Sequence, residues 1–178
     1  CLVFAPRDIT KVIIPSSIRC IKSFAFSGCQ NLKEIEFEKD SELRIIESYA
    51  FSSSSIEKIE IPLHVIKICE SAFSDCDHLC SFEISEDSEL ESIDSFTFSE
   101  SSIQSLTFPV GLVDLKQSWC GEISFLNNIS ISEKNKNLCF LDENNKIVLR
   151  MSDVNSGIFD TIVFACRDIK TIQIPSFI

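Results

Sequence analysis

The chain has 178 residues, is 44% apolar with 15 Phe, and carries a net charge of −11. That charge argues against nucleic acid and anionic membrane as partners, because both repel such a surface. No apolar run approaches the roughly 18 residues of a membrane span, and no signal peptide or basic targeting stretch is present.

Taken in order, the chain reads as a repeat. An opening rung spans 1–14, and rungs follow at 14–37, 38–61, 61–84, 85–108 and 108–131. Ile14-Pro15 recurs as Ile61-Pro62 and Phe108-Pro109, Ala25-Phe26 with Cys29 recurs as Ala72-Phe73 with Cys76, and Asp40-Ser41-Glu42-Leu43 recurs as Asp87-Ser88-Glu89-Leu90, all at steps of 47 residues. The period divides into rungs of 23 and 24 residues, and rungs 38–61 and 85–108 share 11 of 24 residues. Fixed-period self-similarity marks a stack of units too small to fold alone.

Rungs end in an apolar-x-x-apolar-x-apolar pattern: Leu32-Ile35-Phe37, Ile56-Ile59-Ile61, Leu79-Phe82-Ile84, Ile103-Leu106-Phe108, Leu126-Ile129-Ile131 and Ile169-Ile172-Ile174. The alternation reads as a short half-buried strand. Pro15, Pro62, Pro109 and Pro175 follow it and end the pairing. Residues 132–160 break the period. Phe140-Leu141 and Ile147-Val148-Leu149 read as a hairpin around the turn Asp142–Lys146, residues 153–160 as a loop, and 161–178 as the next rung. Val3–Ile18 and Val163–Ile178 agree at 10 of 16 positions, a second period of 160 residues. The sequence starts and stops inside repeats, as expected of a section of a longer array, so missing targeting signals say little about location. The expected fold is a repeat solenoid of α/β type, mostly β, with one short parallel strand per rung and one hairpin interruption, and residues 1–178 forming a single solenoid section.

Candidate chemistry is sparse. The nine cysteines do not read as a disulfide framework: Cys29 and Cys76 are equivalent positions two rungs apart, roughly 10 Å at the rung spacing of a parallel stack and beyond disulfide reach. Cys120 falls at the Phe26 and Phe73 position, as a core filler. Most cysteines are expected to be buried thiols, with Cys139 and Cys166 the first pair to test for a bridge. Cys69, Cys76, His78 and Cys80 lie close in sequence, but Cys76 is a repeat core position and the four are expected on different faces, so no metal site is assigned. His64 is expected in a solvated turn. No catalytic constellation, phosphate loop or cofactor motif is found, and the chain is not read as an enzyme. Asn128-Ile129-Ser130 is a sequon inside a predicted strand, a position that resists glycosylation.

The outward sheet face is the candidate site. Its central column runs Glu36, Glu60, Glu83, Thr107, Ser130 and Gln173. A neighbouring column runs Glu34, Lys58, Ser81, Ser105, Asn128 and Thr171, and an outer one begins Lys33, Glu57, Cys80. Stacked carboxylates repel, and Lys33 beside Glu57 and Glu34 beside Lys58 offset part of that. The functional reading is that Glu36, Glu60 and Glu83 meet basic side chains of a protein partner; the plain reading is a solvated face on an acidic protein. Trp119, the single Trp, stands where Ala25 and Ala72 stand. It is either packed in a rung bend or exposed as an aromatic anchor.

The unit Ile-Pro-x-x-Ile-x-x-Ile-x-x-x-Ala-Phe-x-x-Cys-x-x-Leu-x-x-Ile, carried by Ile14 to Ile35, resembles the BspA-like leucine-rich repeats of surface proteins from anaerobic bacteria and trichomonad protozoa. The segment Arg7-Asp8-Ile9…Ile14-Pro15 is similar to the protozoan versions in particular. The resemblance spans nearly the whole chain, weakest over 132–160, and departs at Trp119-Cys120 and Ile123. It implies a right-handed leucine-rich-repeat solenoid at the cell surface or secreted, binding host cell-surface or extracellular-matrix proteins, with no catalytic residues to carry over. An intracellular scaffold of the same repeats is the alternative, since many unpaired cysteines suit reducing, cytoplasmic surroundings.

Overall fold

The computed structural model describes residues 1–141, 143–153 and 155–178. It is a mostly-β parallel solenoid of about five turns, with no helix among the described residues. Each expected strand through residue 131 is present. β1 (Lys11–Ile14), β3 (Glu34–Phe37), β5 (Lys58–Glu60) and β7 (Ser81–Glu83) form a parallel main sheet. β9 (Ser105–Phe108) and β11 (Asn128–Ile131) continue it as a separate parallel pair.

Each turn carries a second strand that the sequence reading assigned only as a crossing. β2 (Cys20–Ile21), β4 (Ile45–Ile46), β6 (Lys67–Ile68), β8 (Ser92–Ile93) and β10 (Asp114–Leu115) build a five-stranded parallel sheet. Two residues are too short for alternation to show. Partners on the main sheet lie 23 and 24 residues apart (Lys11↔Glu34, Glu34↔Lys58). On the second sheet the steps are 25 and 22 (Cys20↔Ile45, Ile45↔Lys67). Both alternations close on the same 47-residue period, because the Asp-Ser-Glu-Leu turn is longer than the Ile-Pro turn and the return path compensates.

The core follows the repeat. Ile21, Ile46, Ile68, Ile93 and Leu115 stack as one buried column. Phe26, Phe51 and Phe73 stack as another, their rings 5.0 Å apart and nearly parallel, with Phe98 at 5.9 Å from Phe73. That is close to the strand spacing of a sheet, so like residues meet on successive layers. The arc around Ala-Phe is made of turns in which Phe24, Tyr49, Ser71, Phe96 and Ser118 each take a left-handed φ of 53–61°. The same conformation on every rung, with Ser and aromatics alike, marks it as the geometry of the bend. After β1, β5 and β9, Pro15, Pro62 and Pro109 offer their carbonyls to the N–H three residues on, closing a turn.

The interruption differs from expectation in one respect. β12 (Leu138–Phe140) and β13 (Ile147–Met151) form the expected antiparallel hairpin. Asp142 of its turn and Val154 of the next loop lie outside the described residues. A third strand, β14 (Phe159–Ala165), pairs antiparallel with β13 and runs across the expected boundary at 160/161. The pattern Ile169-Ile172-Ile174 is not a strand. Its equivalent β1 is ordered by the rung that follows it, β3; within residues 1–178 no such rung follows Ile174.

Candidate protein-binding face

The alternation of β3, β5 and β7 sends Ile35, Ile59 and Phe82 into the core and Glu34, Glu36, Lys58, Glu60 and Glu83 outward. The register places Glu34 beside Lys58, Glu60 beside Glu83, and Thr107 beside Ser130. The columns read from the sequence are columns in space through β11, but Thr171 and Gln173, which were expected to continue them, lie in no strand. Thr107 and Ser130 share a hydrogen bond of 2.9 Å, with Thr107 half-buried and Ser130 exposed.

Ion pairs partition the carboxylates. Lys11, one rung ahead of Glu34 in the same column, reaches Glu34 at 3.0 Å and Glu36 at 2.6 Å. These hydrogen bonds raise the Lys11 ammonium above its ordinary pKa. Lys58 turns from Glu34 to Glu83 at 2.7 Å. Its hydrogen bond, with one from Ser81, holds the Glu83 carboxyl below its usual range. Lys33 meets Glu57 at 3.2 Å, as the alternation of sign implied. Glu60 has no ion pair among the described residues, and it is exposed. Lys11 was legible from the 23-residue step back from Glu34 and was missed because the columns were started at Glu34.

Above these strands lies an open groove of about 770 Å³. It is lined by Glu34, Glu36, Glu38, Asp40, Glu57 and Glu60 with Lys58 and His64, and its apolar residues include Phe37, Ile61, Pro62 and Leu63. His64 Nδ1 lies 2.8 Å from Glu89, which Arg44 also pairs, so its turn is tied rather than freely solvated. Asp40, Leu63 and His64 were missed as groove residues because they lie in turns, where columns give no register.

Trp119 is not an exposed anchor. It is 2% exposed, its ring 6.2 Å from Phe98, 5.7 Å from Phe108 and 5.6 Å from Phe164, and its indole N–H donates to the Val163 carbonyl at 3.4 Å. The next position, Cys120, stands in the phenyl column but is small and only half-buried; the indole fills the space from the alanine column.

Of the nine cysteines, Cys20, Cys29, Cys76 and Cys166 are buried and Cys69, Cys120 and Cys139 half-buried, so fewer are buried than the repeat positions led one to expect. Burial pushes the thiols of Cys76 and Cys120 up to about 12, and Cys76 donates to the Phe51 carbonyl. Cys1 and Cys80 are exposed. No disulfide forms among the described residues; Cys139 sits on β12 and Cys166 beyond β14, with β13 between them. Cys69, Cys76, His78 and Cys80 do not converge, and no three metal-ligating side chains cluster among the described residues.

The stacked register and recurrent Ala-Phe layers match a known repeat. The profile of the BspA type leucine rich repeat region matches in six copies over residues 2–119, 44–140 and 83–178. The chain is a BspA-type leucine-rich-repeat protein. Among solved structures, the pneumococcal vaccine antigen PcpA is similar at 31% identity and a TM-score of 0.74, over 79% of this chain and 34% of that one. A leucine rich cell surface protein from Faecalibacterium prausnitzii A2-165 shares the fold at 18% identity and a TM-score of 0.57, over 81% of this chain and 43% of that one. A leucine-rich repeat protein from Eubacterium ventriosum does so at 19% identity and a TM-score of 0.50, over 67% and 36%. The chain thus spans well under half the length of these proteins. No curated protein sequence matches it. As a BspA-type leucine-rich-repeat module it is of the protein-interaction kind, and such folds typically bind rather than catalyse.

Proposed function

We propose that this BspA-type module binds a protein partner along the main sheet, by shape and charge and without bond-making chemistry. The observation that carries the reading is the groove itself: carboxylates outnumber cations in its lining, apolar side chains lie among them, and Glu60 stands in it without an ion pair. A partner segment carrying basic and apolar side chains complements both features. Glu36 and Glu83 are already paired with lysines; they, Glu34, Lys58, Thr107 and Ser130 shape the face, and of its central glutamate column Glu60 is the one left without an ion pair among the described residues. Residues 1–178 act as one solenoid section, displayed at the cell surface or secreted, with host-surface or matrix proteins as partners. Support for display is that one similar structure is called a vaccine antigen and another a cell surface protein. An intracellular scaffold is the second reading, favoured by the absence of disulfides among nine cysteines.

The test uses a fluorescent extended peptide alternating lysine and leucine, titrated into the chain. Glu60→Lys and Glu70→Lys change the net charge equally, but only the first lies on the groove; Glu70 is exposed beyond the second sheet. Loss of binding in Glu60→Lys alone supports the site; equal losses in the two refute it. Surface labelling of intact source cells separates display from the intracellular reading.

A further inference from the structure

Between the main sheet and the second sheet, the turns of successive rungs form a third side of the solenoid. Its register is fixed by backbone hydrogen bonds. The Arg44 N–H donates to the Arg19 carbonyl at 2.9 Å, Ile66 to Arg44 at 2.9 Å, Glu91 to Ile66 at 2.9 Å and Val113 to Glu91 at 3.0 Å. Arg19, Arg44, Ile66, Glu91 and Val113 are therefore one column. Within it Glu91 is exposed between two apolar neighbours, Ile66 half-buried and Val113 42% exposed. With Val110 these residues line an open hollow of about 510 Å³.

The other carboxylates of the hollow are taken. Glu89 is shared by His64 at 2.8 Å and Arg44 at 2.5 Å, and Asp87 is paired with Lys134 at 2.7 Å. Arg44, the cation two rungs before Glu91 in the column, is thus drawn to Glu89. Glu91 has no ion pair among the described residues. Gly111 stands 47 residues after His64 and brings no side chain to this side of the hollow. A Cβ there would meet the Leu90 carbonyl oxygen at 3.2 Å.

Hollow and groove adjoin across one turn. Leu63 and His64 line the groove, while Ile66 and Glu89 line the hollow. The Glu89 N–H donates to the Leu63 carbonyl at 2.9 Å, and His64 Nδ1 meets the Glu89 carboxylate. A carboxylate between two apolar side chains suits a lysine or arginine, whose aliphatic stem covers apolar surface while its charge stays at the tip. We propose that the partner segment seated in the groove continues over the Leu63–His64 turn and places a basic side chain in this hollow, its stem against Ile66 and Val113 and its charge on Glu91. This rests on the groove reading and extends the partner's footprint from the main sheet onto the turn side.

Two lysine-leucine peptides test it. The peptide that tests the groove, at six residues about 20 Å long, covers the groove alone, and a twelve-residue version of about 40 Å reaches the hollow as well. Glu91→Gln weakens the long peptide by about three- to fivefold and leaves the short one unchanged. Val113→Ser weakens the long peptide by about twofold, also without effect on the short one. Both positions are exposed, so the fold is kept, and Glu70→Gln is the silent control. A long peptide bound equally by Glu91→Gln and the parent chain, or equal losses for the two peptides, overturns the extension. If Glu60→Lys abolishes binding of both peptides while Glu91→Gln is silent, the extension fails and the groove stands. If Glu60→Lys leaves the short peptide bound, the groove reading fails and the extension with it.

Discussion

Replacing Phe73 with alanine tests whether the phenyl column is what holds the rungs together. Phe73 is fully buried. Its ring lies 5.0 Å from Phe51 in a stack, 5.0 Å from Phe82 edge-on and 5.9 Å from Phe98. Removing a buried phenyl ring costs about 3–5 kcal/mol. The upper half of that range is expected, because each aromatic pair adds about 0.5–1.5 kcal/mol beyond the area it buries. At about 2–4 °C per kcal/mol for a chain of this size, the midpoint falls by about 8–20 °C. Phe24→Ala is the control: the same chemistry on a half-exposed ring stacked only on Tyr49, with a change within about 1 kcal/mol. Urea and thermal unfolding followed by far-UV circular dichroism read both variants. Equal losses at the two sites, or a loss at Phe73 below about 1 kcal/mol, would refute the stacked-column account.

Three further outcomes are expected. The Glu47 carboxyl is held at about 2 against an ordinary 4.5, chiefly by its hydrogen bond from Lys22. Its folded pKa is depressed, so its contribution is fully present above about 4.5 and is lost as pH falls toward 2. Lys22→Met should flatten the pH dependence of the melting midpoint across that window, and an unchanged slope would contradict the pairing. Trp119 should emit to the blue of free indole and resist acrylamide quenching, and Trp119→Ala should cost about 3–5 kcal/mol in urea unfolding; red-shifted, readily quenched emission would return it to the surface. Native protein should show fast reaction with a thiol reagent at Cys1 and Cys80, while Cys76, whose thiol burial pushes to about 12, reacts only on unfolding. Rapid labelling of Cys76 in the folded chain would contradict its place in the core.

The solenoid was legible because its core is built in phase. Phe26 and Phe73, like Cys29 and Cys76, recur at one interval, and a residue that must sit on its own equivalent leaves that mark in the sequence. The outward columns were legible for the same reason, since strand alternation fixes Glu36, Glu60 and Glu83 on one side. Which of them remained available was not, because Lys11 and Lys58 choose partners diagonally, by side-chain reach. The second sheet was hidden by its two-residue strands. β14 was read as loop and rung because its pairing with β13 is antiparallel and outside the period. Trp119 was open to two readings because an alanine position tells the size of the usual neighbour, not the space left when Phe gives way to Cys120.

The central claim is that the acidic groove over β3 and β5 is where a partner binds. Hydrogen exchange of the chain with and without the lysine-leucine peptide tests it most directly. Slower exchange confined to residues 34–41 and 57–64, abolished by Glu60→Lys, is the predicted result. Protection on the second sheet, or none anywhere at saturating peptide, would contradict it.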